Sequence, residues 1–362
     1  MAVVIAIGGV GLLTTLAARY SPRASEIRLD VVVLLFTLAL SVSIALLLSF
    51  AAALPKEGTF ANWLAAGARR ISGGARRQRL QRALVVAQVA VSVVLLAGAG
   101  LLTRTMIRLS EVNTGLRTEE VLTMPVSLLN PLTFTAATDA ADKERYDQMR
   151  REVRALPGVL EVGIGSTMPL RASEMNFEMK VDGKDVPTGA AIPHAELRTA
   201  SPEYLRAAGI PLLRGRDFTI ADRTGSDRVV IVNKLFADEY FHGEDPVGRR
   251  IAFTGDVLRF TPFTGDWRTI VGVAGNTRDG GLDSELRSVV FLPFAQEMAF
   301  AGGLVIRADS NVSGLIKTST AIVHHIAPEV PVENVMTIAQ IKDESISPRR
   351  LNAVLVSLFG ML

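Results

Sequence analysis

The chain of 362 residues contains no cysteine. Disulfide scaffolds, cysteine-based zinc sites, iron–sulfur clusters and thiol catalysis are therefore excluded. An oxidising compartment stays possible, because a large domain can bury enough core to fold without disulfides. Charged residues make up 21% of the chain, too many for a bundle of membrane helices alone, whereas 49% hydrophobic residues is high for a soluble protein. This composition predicts a chain divided into a membrane part and a soluble part.

Motifs for catalysis and nucleotide binding are also missing from the sequence. There is no GxxxxGK[ST] phosphate loop and no GxGxxG fingerprint, and Ser166 lies in GIGSTMP rather than in a GxSxG elbow. The acidic segment 278–285 (RDGGLDSE) lacks the residue order of a calcium loop, which favours a polar turn. Adjacent helical residues point about 100° apart, so neighbouring histidines do not suit one shared metal ion. We predict exposed or capping roles for the four histidines, His194, His242, His324 and His325. The sequence predicts no catalytic, cofactor-binding or metal-binding residue.

Charge and hydropathy divide the chain near Thr103. Residues 1–103 contain 10 Lys+Arg and 3 Asp+Glu, whereas 104–362 contain 29 and 33. Three runs, 1–18, 31–55 and 83–103, carry no charged residue. A helix needs roughly 20 apolar residues to cross about 30 Å of hydrocarbon, so each run is long enough or nearly so. We predict three membrane spans. Buried globular helices are the alternative for all three, and a signal peptide is the alternative for the first, although a basic n-region is absent.

The charges of the segments between the predicted spans predict how the protein is oriented in the membrane. Residues 56–82 contain Lys56 and six arginines against a single acidic residue, Glu57. The positive-inside rule places this linker in the cytoplasm, so that residues 19–30 and everything after Arg104 lie outside. No aromatic residues are interleaved with the arginines, which argues against nucleic-acid binding. The final apolar run, 351–362, is too short to span a bilayer, and we expect a longer parent protein in which this run begins a further span.

Residues 104–350 form a long insertion with a strand and helix pattern at each end. Strand, helix and strand patterns cover 121–129, 138–159 and 160–166, with Pro157-Gly158 ending the helix, and a strand and helix recur at 303–309 and 312–327. The middle is rich in predicted strands, at 177–183, 228–233, 267–278 and 288–294, with Asn233 as a helix cap. The predicted fold class is therefore α-helical transmembrane segments plus an extracytoplasmic α+β domain of two subdomains, with β-α-β ends and a β-rich insert.

Several segments, taken in order, resemble the periplasmic core domain of MacB-type ABC transporter permeases. They are 201–222 (SPEYLRAAGIPLLRGRDFTIAD), 229–251 (VVIVNKLFADEYFHGEDPVGRRI), 270–282 (IVGVAGNTRDGGL) and 289–296 (VVFLPFAQ). Residues 156–170 resemble the first β-α-β of that domain. Residues 73–116 are similar to the junction before the second half of duplicated permeases, whose membrane part resembles FtsX and the lipoprotein-releasing Lol permeases. The resemblance covers nearly the whole chain, and its specificity comes from the combination and order of the segments.

The resemblance implies a domain organisation. Residues 1–55 would be two transmembrane helices at the end of an N-terminal permease half, and 56–82 a cytoplasmic basic linker. Residues 83–115 would be a transmembrane helix and stalk, 116–346 the MacB-like periplasmic core domain, and 347–362 the start of a truncated transmembrane helix. It also implies a multi-pass protein of the bacterial inner membrane. The cytoplasmic coupling helices of the family would fall outside 1–362.

The resemblance further implies a non-catalytic permease subunit without cofactors. An ABC ATPase on a separate chain would hydrolyse ATP, and the movement of the extracytoplasmic domain would serve efflux or export by mechanotransmission. The implied partners are this ATPase, the lipid bilayer, a second permease half in a dimer or pseudo-dimer, and, in some relatives, a periplasmic adaptor and an outer-membrane channel. The alternative is a membrane-anchored sensor with an extracytoplasmic ligand-binding domain, and an outer catalytic domain is a more distant third.

Overall fold

A computed structural model describes residues 74–361, with gaps at 129–134, 172–174, 185–191, 256–263, 298–301 and 310–311, and scattered residues between 35 and 46. The chain divides into two compact units, 1–108 with 346–362, and 109–345. The first predicted span and residues 56–73 of the predicted linker lie outside the described residues. The predicted second span is described only in part, and its described residues are helical and exposed.

In the first unit the main element is a helix of 37 residues, α1 (Gly74–Ser110). Its stretch Arg82–Ser110 is the one helix in the described part of the chain that is long and apolar enough to cross a membrane. Most of its valine and leucine side chains are exposed, as in a helix whose surroundings are lipid, whereas Leu95, Ala99 and Leu102 on one face are partly or fully buried. The helix begins at Gly74, ahead of the predicted start at Ala83, because the intervening arginine, glutamine and leucine residues favour helix.

The second unit contains eleven strands, four helices and the start of a fifth. In chain order after α1 they are β1 (Val121–Pro125), α2 (Ala136–Arg154), β2 (Val159–Gly165), β3 (Asn176–Val181), β4 (His194–Ala200), α3 (Tyr204–Ala208), β5 (Leu212–Gly215), β6 (Val229–Asn233), α4 (Lys234–Phe241), β7 (Arg250–Thr254), β8 (Arg268–Ala274), β9 (Val289–Pro293), β10 (Gly303–Ala308), α5 (Val312–Ile326), β11 (Met336–Thr337) and α6 (Ile338–Met361), which continues into the first unit.

The two ends of this unit form a four-stranded layer in the order β11-β1-β10-β2, which we name the terminal layer together with α2 and α5. Strand β10 lies between β1 and β2, and β1 lies between β10 and β11, so each strand-helix-strand segment is a split β-α-β unit. The two helices pack on the sheet and on each other. Their core includes the predicted face of α2, namely Tyr146, Met149 and Val153, with Ile164, Ile306 and Val323.

The insert between β2 and β10 folds into a closed ring of six strands, which we name the barrel. The pairings run β4-β3-β7-β8-β6-β9, and a parallel pairing of β9 with β4 closes the ring. Strand β5 adds to β8. Apolar residues from all six strands fill the interior, and Phe236 and Phe241 of α4 complete this core. Asn233 caps α4 as predicted, because its Oδ1 accepts a hydrogen bond from the Phe236 amide at 3.0 Å.

The terminal layer and the barrel belong to one compact unit and share one sheet, so the predicted two subdomains are two cores rather than two separate bodies. They meet where Gly165 of β2 pairs with Ala200 of β4. Four elements, β4, α3, β5 and β11, were not predicted. Two predicted strands are shorter than expected: the first ends at Pro125 and β8 ends at Ala274, ahead of a glycine-containing loop.

Candidate functional site

The residues considered for chemistry in the sequence lie apart from one another. His324 and His325 are exposed in the last turn of α5, and His242 ends α4 in a left-handed conformation. Ser166 follows β2, where its hydroxyl accepts a hydrogen bond from the Thr199 amide at 2.9 Å. In the described part of the chain, no three acidic or histidine side chains are arranged to hold a metal ion. These residues therefore do not converge on one centre, and the two arrangements described next have a stronger claim to function.

The first arrangement is the junction where both long helices join the terminal layer. Helix α1 leads into β1, and β11 leads into α6, and the two strands pair directly through Leu122 with Thr337 and Thr123 with Met336. Thr337 and Gln340 form a capping box at the start of α6, because each side chain bonds the other residue's backbone amide, at 3.1 and 2.8 Å. The start of α6 is thus capped and lies next to the strand that follows α1.

Lys342 of α6 forms hydrogen bonds with the end of α1. Its ammonium group donates to the carbonyl oxygen of Ser110 at 2.7 Å and lies 3.4 Å from that of Val112. The last carbonyls of a helix have no intrahelical partner and carry partial negative charge, so a lysine there stabilises the helix end. The Ala339 amide also donates to the Thr118 carbonyl at 3.1 Å. A displacement of α1 at Ser110 would therefore reach α6 through direct hydrogen bonds.

The segment between α1 and β1 also contacts the insert. The Arg278 amide donates to the carbonyl of buried Thr114 at 3.0 Å, and the Arg117 amide donates to that of Ala208 at 3.0 Å. Gly115 has a φ of +73°, and a Cβ there would lie 1.9 Å from the Asn276 carbonyl oxygen. Only glycine permits this conformation and this close an approach. The segment is thus packed against the loop that runs from Asn276 to Arg278.

The second arrangement is a polar cleft on the outer wall of the barrel, where the loop 277–287 covers β4. Ala195 and Leu197 of β4 face the barrel core, so the alternating side chains of Glu196 and Arg198 face outward. The loop nevertheless buries both, leaving them 7% and 4% exposed. The cleft has a volume of about 80 Å³ and is also lined by Asp279, Glu285 and Arg287.

Arg198 is the centre of the ionic contacts in the cleft. Its guanidinium donates to Glu196 and, at 2.8 Å, to the Thr167 hydroxyl, and it lies 3.3 Å from the Asp279 carboxylate. Asp279 accepts from the Thr277 hydroxyl at 2.6 Å, and Arg287 donates to Glu196 at 3.1 Å. Two buried atoms in this network, Arg198 Nε and Asp279 Oδ1, have no hydrogen-bond partner among the described residues, and both are almost wholly inaccessible to solvent. The network beneath the cleft is therefore incompletely hydrogen-bonded.

A second cavity of about 290 Å³ adjoins the cleft. The two share Glu196, Glu285 and Arg287, and the second extends toward α4, where Glu239 accepts a hydrogen bond from the Ser288 hydroxyl at 2.7 Å. His194 lines this side as well. The combined space is open to solvent on one side through the exposed Glu285 and buried at the Arg198 end.

Two other charged groups, Arg268 and Glu203, are paired with charged side chains of the protein. Arg268 is fully buried, donates a hydrogen bond to Glu297 at 2.9 Å and lies 4.8 Å from the centre of the Phe253 ring. Burial lowers the pKa of its guanidinium, although Glu297 opposes this shift. Glu203 lies where α2 meets α3. Burial raises the pKa of its carboxyl, and neighbouring Arg150, at 3.5 Å, opposes this shift. Neither group lines the cleft or its adjoining cavity.

Sequence reasoning missed both arrangements. The segment 278–285 was correctly interpreted as a turn, but the sequence did not predict that Asp279 is buried 3.3 Å from Arg198. Strand β4, with the sequence HAELRTA, was not predicted at all, although its alternation of apolar and charged residues is a strand signal. Lys342 could have been singled out only by knowing that α1 ends beside it.

Comparisons with known proteins relate more than half of the chain to one family. The sequence model of the family described as "MacB-like periplasmic core domain" matches residues 83–314. The periplasmic region of MacB from Actinobacillus actinomycetemcomitans is 14% identical, with a TM-score of 0.40, over 65% of this chain and 96% of that one. The extracellular domain of the noncanonic ABC-type transporter YknZ from Gram-positive bacteria is 15% identical, with a TM-score of 0.36, over 59% and 98%. A comparison with curated protein sequences gives no match.

Proposed function

Because the chain belongs to the family of proteins with a MacB-like periplasmic core domain, we propose that it is a permease subunit of a MacB/FtsX-type ABC transporter. In this proposal a cytoplasmic ATPase on a partner chain hydrolyses ATP, and the membrane helices transmit the resulting movement to the extracytoplasmic domain for efflux or export. The chain itself carries out no chemistry. The observation that carries the proposal is the junction, in which two long helices join paired strands and Lys342 bonds the end of α1.

The proposed domain organisation follows the sequence. Residues 1–55 are two membrane helices, 56–82 a cytoplasmic basic linker, 83–115 a membrane helix and stalk, 116–346 the extracytoplasmic core domain, and 347–362 the start of a further membrane helix. The protein is multi-pass in the bacterial inner membrane and works as a dimer or pseudo-dimer of permease halves. A periplasmic adaptor and an outer-membrane channel are further proposed partners. The apolar helix Arg82–Ser110 and the cationic linker support this orientation.

The contacts at the junction would transmit a displacement of α1 to α6. An isolated flexible linker would absorb a displacement, whereas the segment from Ser110 to β1 is bonded to α6 through Lys342 and Ala339. Coupling between two distant sites requires a structural element whose conformation both sites influence. Two helices that continue from the same pair of strands provide such an element. Lys342 is thus proposed as a positioning residue in transmission.

The test uses the full-length protein, reconstituted in lipid nanodiscs with its co-purifying ATPase, and measures ATP turnover. We expect Lys342→Met to lower the turnover of the complex several-fold while shifting the thermal unfolding temperature little, because the contact contributes about 0.3–1 kcal/mol to stability. Lys317→Met, which removes an exposed lysine from α5, is the matched control. The transport proposal fails if no ATPase associates with the protein. The role of Lys342 is rejected if both variants behave alike.

One observation favours the sensor as a second candidate function, namely the cleft and its adjoining cavity on the barrel. A sensor would respond to a ligand without any associated ATPase. If the full-length protein changes its cytoplasmic output on ligand addition but recruits no ATPase, the sensor replaces the permease.

A further inference from the structure

We propose that the first two turns of α1 bind the headgroups of anionic phospholipids such as phosphatidylglycerol. The binding segment is 76–82 (RRQRLQR), which we name the arginine segment because four of its residues are arginines. The proposal rests on the membrane insertion of α1 that is part of the proposed function, but it does not depend on an ATPase or on transport. The permease proposal fails if no ATPase associates, whereas this one is decided by lipid binding, so the two can fail separately.

The arginine segment and the apolar stretch belong to one continuous helix. α1 begins at Gly74 and runs to Ser110, so no turn separates Arg82 from the uncharged run 83–103. Positions 76, 79 and 82 recur every three residues, which places them on one side of the helix. The side chains of Arg79 and Arg82 are exposed. The helix therefore presents a row of cations where it continues from the apolar stretch.

The length of the helix places the arginine segment at the depth of the lipid headgroups. With a rise of about 1.5 Å per residue, the uncharged run 83–103 spans about 31 Å, close to the hydrocarbon thickness of about 30 Å. Residues 76–82 extend about 9 Å further along the helix axis, and the headgroup region adds roughly 5–8 Å on each side of a bilayer. Guanidinium groups bind phosphate oxygens in a bidentate manner. At this depth the phosphate belongs to a lipid rather than to a soluble molecule.

The charge of the arginine segment selects anionic lipids over zwitterionic ones. No acidic residue occurs between Glu57 and Glu111, so no carboxylate of α1 neutralises the arginines. Each lysine or arginine near an anionic membrane surface raises the affinity roughly fivefold, whereas a phosphatidylcholine headgroup carries an ammonium group that the arginines repel. The other end of the uncharged run has fewer cations, Arg104 and Arg108, and Glu111 follows them closely. The preference is therefore expected at the start of α1.

The experiment is native mass spectrometry of the full chain in detergent, titrated separately with phosphatidylglycerol and with phosphatidylcholine of the same acyl chains. Detergent removes any effect of the direction in which the helix inserts. We expect phosphatidylglycerol to bind with an apparent affinity at least about tenfold higher. Glycerol phosphate, which has the phosphate but no acyl chains, is the third probe, and we expect no saturable adduct. Equal affinity for the two lipids, or saturable binding of glycerol phosphate, would overturn the proposal.

Variants locate the binding. We expect Arg79→Gln combined with Arg82→Gln to lower the affinity for phosphatidylglycerol at least about fivefold, and Arg79→Lys with Arg82→Lys, which keeps the charge, to retain it within about twofold. Arg104→Gln with Arg108→Gln is the matched control, because it removes the same charge from exposed positions at the other end of the run. Circular dichroism checks the helix content of each variant. Unchanged affinity in the Arg79 and Arg82 glutamine variant, or an equal loss in the control, would show that the arginine segment does not select the lipid.

Discussion

The terminal layer and the barrel differ in what they bury. In the terminal layer, the described side chains that are fully buried are apolar or uncharged, whereas the insert contains every buried charged residue that the structure describes in the chain. These are Glu196, Arg198, Asp222, Arg268, Asp279 and Glu297. A buried ion pair is often no more stabilising than an apolar replacement, so its presence points to a demand other than stability. The terminal layer has an apolar core, whereas the barrel buries charged side chains that are paired with one another.

The prediction with the largest expected effect tests whether the stability of the barrel depends on its buried ion pairs. Glu297→Gln leaves Arg268 buried without its carboxylate partner, and we expect the free energy of unfolding to fall by about 3–5 kcal/mol. The measurement is urea unfolding followed by circular dichroism. Glu329→Gln is the matched substitution in the terminal layer, where the carboxylate pairs with Arg145 at an exposed position, and we expect a loss of about 0–1 kcal/mol. Equal losses would remove the distinction between the two regions.

A smaller effect tests the polar contacts of the apolar layer. The Tyr146 hydroxyl donates to the Val126 carbonyl at 2.9 Å and accepts from the Leu128 amide at 3.0 Å, in a fully buried position. Tyr146→Phe keeps the ring but leaves two buried backbone groups unpaired, so we expect a loss of about 1–3 kcal/mol in unfolding free energy.

Tyr240→Phe is the control for this substitution. Tyr240 makes the same pair of hydrogen bonds, to the carbonyl and amide of His194, at 3.0 and 3.2 Å, but near solvent. Water can replace its hydroxyl, so we expect a loss below about 1 kcal/mol. A Tyr240→Phe loss as large as that of Tyr146→Phe would show that burial does not decide the cost.

The smallest effect concerns the boundary between the two regions, where Glu203 lies close to Arg150, Glu161 and Asp217. Burial raises the pKa of Glu203, so the folded state binds its proton more tightly than the unfolded state. Stability therefore falls as pH rises through the window above the ordinary pKa of 4.5. We expect Glu203→Gln to raise the unfolding temperature at pH 7, by an amount equivalent to less than ~1 kcal/mol, and the difference from the unchanged protein to shrink toward pH 4.5.

Thermal unfolding at both pH values measures the effect. Glu119→Gln, at an exposed position, is expected to show no pH-dependent difference. A Glu203→Gln protein that is less stable at pH 7 would show that its pairing with Arg150 outweighs the cost of burial.

Local patterns allowed much of the fold to be predicted. The 3.6-residue spacing of Tyr146, Met149 and Val153 predicted the buried face of α2, and the alternation in 177–183 predicted β3, whose side chains alternate between buried and exposed. The closure of the barrel could not be predicted in this way. It depends on the parallel pairing of β4 with β9, two strands about ninety residues apart, and no local pattern encodes such a contact.

The cleft escaped prediction for a related reason. Glu196 and Arg198 alternate with apolar residues, which is typical of a strand with one face in water. The loop that buries them comes about eighty residues later, so their burial is a property of the tertiary structure. That the chain has no catalytic residue stays a prediction, because the arrangement of the described side chains does not test it.

The place where the barrel joins the terminal layer has a consequence for how the protein can vary. The insert leaves the layer after Gly165 and returns at Gly303, and these two residues are direct partners in the sheet. A hairpin turn spanning those two positions could connect β2 to β10 without the insert, at the cost of the contacts that the insert makes with residues 114–117. Inserted segments are best tolerated where entry and exit points lie together. The barrel therefore enters and leaves the sheet at one place, where insertion of a segment of different length disturbs the terminal layer least.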